Sequence, residues 1–546
     1  MKRVVIGFLS LSLLIGLFSF TYYQDNEFEI TRNLNIFTTL YRELNTHYVD
    51  ELPTEEIINS GIQAMLSSLD PYTNYIPESE LENYRTTTTG EYGGIGAVVS
   101  KRKGINTVLM PYIGFPAHKA GLLIGDQIVK INGKEIDKDS NQHISTKLKG
   151  QPGTSVVLTI KRQGKEELFE VKIVRKKIVI SNLAYFGMFN EDVGYMRLSD
   201  FTTNAGKEVE EALVQLKSQG AEKIVLDLRD NPGGLLDEAV KVANVFVPKG
   251  KEIVSTKGKV KSWEKTYKSP FESIDENIPL VILTNGNTAS AAEIVSGVIQ
   301  DYDRGVLIGT RTFGKGLVQA TRPLPFNSQL KVTTAKYYIP SGRCIQAIDY
   351  SIKNENGSVG TIPDSVKIAY KTSNGRTVYD GGGIMPDIEV EPDEYSNLLY
   401  NILNDHFMFD YAGKYYLSHP SIAAARDFRL TDAEYLEFVN WLEGKEVSFS
   451  SQMDRAIESL EKMAKDEKYY EGIDKNINEL KEKVEQVKKN YLIEFKSEVK
   501  MALEQEIVSR YYFHQGIVEA GVQKDGAIAK AANLLNNPEA YNNLLK

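Results

Sequence analysis

The sequence predicts a multidomain α/β protein with helical regions at both ends, on three observations. At 546 residues the chain is too long for one hydrophobic core. Near residue 90 its texture changes from helical spacing to short strands punctuated by glycine. After residue 178 strands and helices alternate, which implies a sheet with crossover helices packed against it. The chain divides accordingly into an amino-terminal leader (1–25), a helical region (26–89), a β-rich unit (90–177), the alternating core (178–394) and a second helical region (395–546).

In the leader, Lys2 and Arg3 precede an uncharged apolar run from Val4 to Phe20, the charged-then-apolar order of an export signal. No Ala-x-Ala pattern follows it. The run therefore reads either as a cleaved signal peptide or as a retained membrane anchor with the basic pair on the cytoplasmic side. At about 1.5 Å per residue it is marginal for a full span. A buried helix is the bland alternative. Both favoured readings export the rest of the chain, to the periplasm or cell envelope.

Beyond the leader, Ile36, Leu40 and Leu44 recur at helical spacing, followed by Ile57, Ile58, Ile62 and Met65. The β-rich unit shows the strand runs GGIGAVVS, TVLMPY, DQIVKING, SVVLTIKR and LFEVKIV. In the core, strands VGYMRL, KIVLDL, LVILT and GVLIG alternate with helices AGKEVEEALVQLKSQ, LLDEAVKVANVFV and SAAEIVSGVIQDY. The runs KIVLDL and LVILT suit strands covered on both faces. The core closes near Gly381, Gly382 and Gly383. The last region is rich in Tyr, Lys, Glu and Leu and reads as long charged helices, a solvated face or an oligomerisation surface.

Composition excludes several classes. A hydrophobic share of 42% with 25% charged residues is ordinary for a folded soluble protein. A net charge of −9 argues against nucleic acid as the main partner. The single cysteine, Cys344, rules out an intramolecular disulfide. His47, His118, His143, His406, His419 and His514 are scattered without ligand spacing, so no metal or other cofactor is expected.

The chemistry rests on a serine and a lysine. Ser290 follows strand LVILT and opens an apolar-periodic helix, where free backbone N–H groups and the positive end of the helix dipole stand beside its hydroxyl. The Ala291 N–H is placed to donate to an oxyanion. Taken alone, Ser290-Ala-Ala-Glu293 is also a capping box, with Glu293 reaching back. Lys315 lies twenty-five residues on, between Gly314 and Gly316, which let the backbone turn tightly. With no histidine near either segment, a nucleophilic Ser290 must pass its proton to an amine, as in serine–lysine variants of the catalytic triad. An exposed lysine, with a pKa of about 10.4, is a poor base at neutral pH, so burial must lower it by about three units. Gln319 could orient that amine without adding charge. Gly233 and Gly234, where KIVLDL runs into RDNPGG, could turn N–H groups toward the carbonyl under attack. Asp301 is about 16 Å along the helix from Ser290 and reads as a structural carboxylate.

TASAAEIVSGVIQD, GTRTFGKGLVQ, DLRDNPGG, LDPYTNYI and GGGIMPD together resemble the carboxyl-terminal processing (tail-specific) serine peptidases, over roughly Glu27 to Glu394. The resemblance implies Ser290 as nucleophile, Lys315 as general base and Gln319 as the lysine's partner. It implies an oxyanion hole of Gly233 or Gly234 with Ala291, and a crotonase-like core. Ala292 stands where members often have serine, a neighbour without a catalytic role. The β-rich unit resembles an inserted PDZ domain, with Pro116–Gly133 matching the later PDZ signature. Gly93, Gly94, Ile95 and Gly96 would then form the loop that binds a peptide's C terminus.

The implied function is an endopeptidase of exported proteins that grips their C-terminal tails and cuts upstream through an acyl-enzyme. Its partners would be proteins or peptides with accessible C termini, and the helical regions could serve a homodimer. The alternatives are a non-catalytic tail-binding scaffold on a degenerate peptidase fold and a crotonase-type acyl-CoA enzyme. An intact Ser290, Lys315 and Gln319 speak against the first, and an export signal beside a PDZ-like unit speaks against the second.

Overall fold

The computed structural model describes residues 27–136, 140–353, 359–392, 395–442, 445 and 452–546. The leader predicted over 1–25 lies outside the described residues. Among those described, no helix is long and apolar enough to cross a membrane. They form two compact units, one running to Tyr75 and including Thr321–Val332, the other made of Ile76–Ala320 and Thr333–Lys546.

The first unit carries a helix over 27–47 and a second at Thr54–Ser67. Several of the helically spaced apolar residues, among them Ile36, Leu40 and Met65, are exposed.

In the second unit the β-rich segment forms an antiparallel sheet in the order Ala97–Arg102, Ile105–Pro111, Gln127–Ile131, Ser155–Lys161, Phe169–Val174. Alternate residues such as Val156, Leu158 and Ile160 turn inward onto a core of their own, which also holds Ile95, Leu122 and Ile144. Glu91–Gly94 pairs with Lys176–Val179, so the segment's two ends are tied in one ribbon. The run GGIGAVVS is not one strand: Gly96 sits at φ +73° and breaks it, and a Cβ there would lie 2.6 Å from Phe115.

The core sheet has the order Leu183–Met188, Val193–Leu198, Lys223–Asp227, Leu280–Thr284, Val306–Gly309, Ile388–Glu389. Its first pair is antiparallel and the rest are parallel. Each new parallel strand is added on the same side. Right-handed crossovers then put the helices Ala205–Ser218, Leu236–Phe246 and Ala291–Asp301 on a single face. Ile224, Leu226, Leu280 and Ile282 point to those helices, while Val225, Val281, Leu283 and Ile308 point to the other face.

That second face is sealed by the end of the chain, through Val518, Val522, Ile528, Ala531, Leu535 and Tyr541. The Tyr541 hydroxyl exchanges hydrogen bonds with the Leu280 backbone at 3.0 and 3.1 Å. Both faces are covered as the hydrophobic runs require, but one cover comes from the carboxyl-terminal region rather than from crossover helices. The rest of that region has a separate core around Ile402, Tyr411, Phe438, Leu503 and Ile507. Two of its helices, together spanning Lys496–Val522, meet at a kink at Phe513 (φ 55°).

Candidate active site

Three adjacent parallel strands end at Asp227, Thr284 and Gly309, and the loops leaving those ends carry Gly233 and Gly234, Ser290, and Lys315. Open parallel sheets place their ligands outside the carboxyl ends of the strands, so topology alone brings these loops together.

Ser290 directly precedes the helix Ala291–Asp301 and has φ 55°, ψ −114°, a backbone state costly for any residue but glycine. The turn is held in place from outside. Thr288 donates its hydroxyl to Leu228 O at 2.8 Å, and the Ala289 N–H donates to Asn231 O at 2.9 Å. Asp230 accepts from the side-chain amides of Asn285 and Asn287 at 2.9 and 3.0 Å. Burial pushes the Asp230 carboxyl upward, but the Asn287 and Asn285 amides with Arg197 and Arg229 outweigh it and hold the group below the usual carboxylate range.

Glu293 binds the serine and lysine segments together. Its carboxylate is fully buried and accepts four hydrogen bonds. One oxygen takes the Ser290 N–H and the Lys315 N–H, each at 2.8 Å. The other takes the Thr312 hydroxyl at 2.5 Å and the Gly314 N–H at 2.7 Å. Because Ser290 N and Lys315 N meet on one atom, they lie within twice that 2.8 Å of each other. Burial drives the Glu293 carboxyl above its ordinary value, against the opposing pull of its four donors. On the carbonyl side Tyr337 does the same: its hydroxyl donates to Ser290 O at 3.1 Å and to Lys315 O. A carboxylate thus bridges the amides of Ser290 and Lys315, and a phenol bridges their carbonyls.

The sequence read Glu293 only as a cap. Its reach back to Ser290 was legible from the spacing, whereas its grip on the lysine loop was not. Tyr337 carried no signal at all.

Gly314 must be glycine, since a Cβ would fall 2.4 Å from that of Ala347 at φ +86°. Gln319 lies on the strand Leu317–Pro323, and its amide donates to Leu317 O and Thr333 Oγ1, both at 3.3 Å. Asp301 is buried against Arg343 at 2.8 Å, the structural role expected of it.

Gly233 packs against the serine turn so closely that a Cβ would meet Ala289 O at 2.6 Å and Ala291 N at 2.8 Å. Its N–H, however, is donated to Asn231 Oδ1 at 2.8 Å, so this arrangement does not offer it to a substrate. Phe201 N donates to Gly233 O, and Leu235 N donates to Phe201 O, so the bridge skips Gly234. Among the described residues the Gly234 and Ala291 N–H groups have no acceptor.

The Asp227–Gly234 turn is tied to the carboxyl-terminal region. Arg229 clasps the buried Asp227 carboxylate at 2.6 Å and reaches Asp525 at 2.8 Å. Asp525 in turn caps the helix Gly526–Leu535. None of these ties was readable from the sequence.

In the β-rich segment, Gly93 O, Ile95 O and Gly96 O accept bonds from Gly150, Ala117 and Tyr112, and the Ile95 side chain is buried. The strand Ala97–Arg102 pairs on one side with Ile105–Pro111. Near its other edge lies the helix Asn141–Leu148, whose Asn141 accepts from Lys101 N at 3.0 Å. His118 packs edge-on against Phe513, ring centroids 5.1 Å apart.

Residues 192–365 match peptidase family S41, 93–173 match the PDZ domain, and 398–535 match the C-terminal helical domain of probable PDZ-proteases. The chain is 38% identical over 345 residues to a carboxy-terminal-processing protease of Bartonella bacilliformis, an overlap of 62% of this chain and 78% of that protein. It is 35% identical to a probable CtpA-like serine protease of Staphylococcus aureus over 57% of this chain, and spans 62% of that relative's length. The solved photosystem II D1 C-terminal processing protease overlaps 65% of the chain and 92% of its own, at 27% identity and a TM-score of 0.35. With that degree of identity across most of the Bartonella protein, the chain belongs to the carboxy-terminal-processing proteases of peptidase family S41, serine-type peptidases that here carry a PDZ domain.

Proposed function

We propose that the protein is an endopeptidase in which Ser290 attacks the scissile carbonyl and Lys315 serves as its general base. Ser290 Oγ bonds to the carbonyl carbon as its proton passes to the Lys315 amine. The oxyanion of the tetrahedral intermediate is held by the Gly234 and Ala291 N–H groups. On collapse the C–N bond breaks, and the lysine ammonium returns the proton to the departing amine. Water then hydrolyses the acyl-enzyme with the same lysine as base. Gln319, on the strand that continues from the lysine loop, orients the amine.

One observation carries this reading: the Ser290 and Lys315 amides share a single carboxylate oxygen of Glu293, each at 2.8 Å. The single-wound sheet with glycines at its strand ends supports a crotonase-like core. Gly93 and Gly94 belong to the strand paired with Lys176–Val179 rather than to a loop, but the turn at Ile95 and Gly96, leading into the strand Ala97–Arg102, supports recognition of a substrate's C-terminal tail by strand addition. The basic pair and apolar run of residues 2–20 support action on exported proteins.

The test is the purified Lys315→Ala variant on a tagged protein substrate. Turnover should fall by about 10³-fold or more while melting temperature and tail binding stay at wild-type values. Wild-type turnover in a folded Lys315→Ala protein refutes the assigned base.

A further inference from the structure

Where the PDZ domain meets the carboxyl-terminal helices, a cavity of about 360 Å³ is lined by Arg102, Lys161, Arg162, Lys165 and Arg510 against one carboxylate, Asp410. Two of these cations are sunk: the Arg102 side chain is 10% exposed and that of Arg510 only 4%. Both lie over the Phe409 ring, 3.7 and 4.0 Å from its centroid. Each belongs to the junction. Arg102, from the PDZ domain, donates to His406 O at 3.3 Å, and Arg510, from the helices, donates to Ile124 O at 2.6 Å.

Negative charge is short here. Asp410 is shared between Arg102 at 2.9 Å and Lys103 at 3.3 Å. Asp126 is taken up by Arg162 at 2.6 Å, and Glu506 stands 3.9 Å from Arg510. Among the described residues no carboxylate pairs with Lys161 or Lys165, and the buried Nε atoms of Arg102 and Arg510 lack a hydrogen-bond partner. Six cations therefore face three carboxylates. Burying guanidinium groups without full compensation is costly. Burial accordingly pulls the Arg510 pKa down to about 10.

We propose that this cavity binds a small phosphate-class oxyanion, which completes the charge balance of the junction and fastens the PDZ domain to the helical region. An excess of three positive charges suits a multivalent anion better than a single carboxylate. Guanidinium and ammonium donors converging from two regions match its oxygens.

The test uses the full chain with pyrophosphate, at ionic strength held constant with chloride, followed by calorimetry and by hydrogen exchange at residues 122–126 and 406–410. Saturable binding is expected, together with slowed exchange in both segments. The double variant Lys161→Gln, Lys165→Gln changes two exposed side chains and should melt like the wild type without the anion, yet bind pyrophosphate at least tenfold more weakly. The proposal is overturned by the absence of saturable binding, or by unchanged affinity in the double variant. Binding of acetate or of a free peptide C terminus as tight as that of pyrophosphate overturns it too.

Discussion

Glu293→Gln isolates what holds the serine and lysine segments together. Glutamine preserves the volume but offers one accepting oxygen and an NH₂ group. Each Glu293 oxygen accepts two donors, Thr312 and Gly314 on one, Ser290 and Lys315 on the other. Turned one way, the new NH₂ faces the Ser290 and Lys315 N–H groups; turned the other, it faces the Gly314 N–H and the Thr312 hydroxyl, which can accept from it. One or two lost bonds to a charged acceptor, at about 1.5–3 kcal/mol each, put the gross cost at about 1.5–6 kcal/mol. Removing a buried charge offsets part of it, because the same burial pushes the Glu293 carboxyl above its ordinary value. A net loss of about 3 kcal/mol is expected in stability. Activity should suffer more than stability: a shift of about 1 Å between Ser290 and Lys315 lowers the rate about 100-fold. Steady-state kinetics on a fluorogenic tail peptide, beside urea unfolding, should show kcat falling about 100-fold with KM nearly unchanged. A folded Glu293→Gln protein with wild-type kcat would refute the bridging role.

Other perturbations probe the neighbouring loops. Gly233→Ala puts a Cβ 2.6 Å from Ala289 O at φ +95°, so kcat should fall at least tenfold while affinity for tail peptides, measured by calorimetry, is unchanged. Asp525→Asn keeps the helix cap, since Asn and Asp cap equally well, but removes the charge 2.8 Å from Arg229. Urea unfolding should show a loss of about 1 kcal/mol that shrinks in high salt. The Asp230 carboxyl titrates lower in the folded protein than in the unfolded chain. Its stabilisation is therefore complete above the ordinary carboxyl range and is lost as pH falls through the lowered value. Asp230→Asn should flatten the acid limb of the stability–pH profile below about pH 4, and an unchanged limb would count against the Asn285–Asn287 clasp.

Local pattern carried the elements far. Strands VGYMRL and LVILT match their predicted limits, because a full period of buried residues marks each one. The run GGIGAVVS misled, because a glycine at positive φ breaks a strand without altering its hydrophobicity. In the candidate site, Ser290, Lys315 and the glycine pair were visible as motifs at strand ends. Their partners were not. Tyr337 meets Ser290 from 47 residues away and Asp525 meets Arg229 from nearly 300, and no local periodicity encodes such contacts.

By itself, then, the sequence determined the alternation of strands and helices, the insertion of a β-rich unit and the serine, lysine and glycine motifs at the strand ends, because each follows from spacing along the chain. The tertiary structure alone decided that Gly233 spends its N–H on Asn231 while Gly234 keeps its own free. It alone decided that one buried carboxylate binds Ser290 to Lys315, and that the chain's last helices seal the second face of the sheet. Those outcomes depend on which loops the strand order makes neighbours, and a buried donor or acceptor chooses its partner only among the atoms that packing brings within reach.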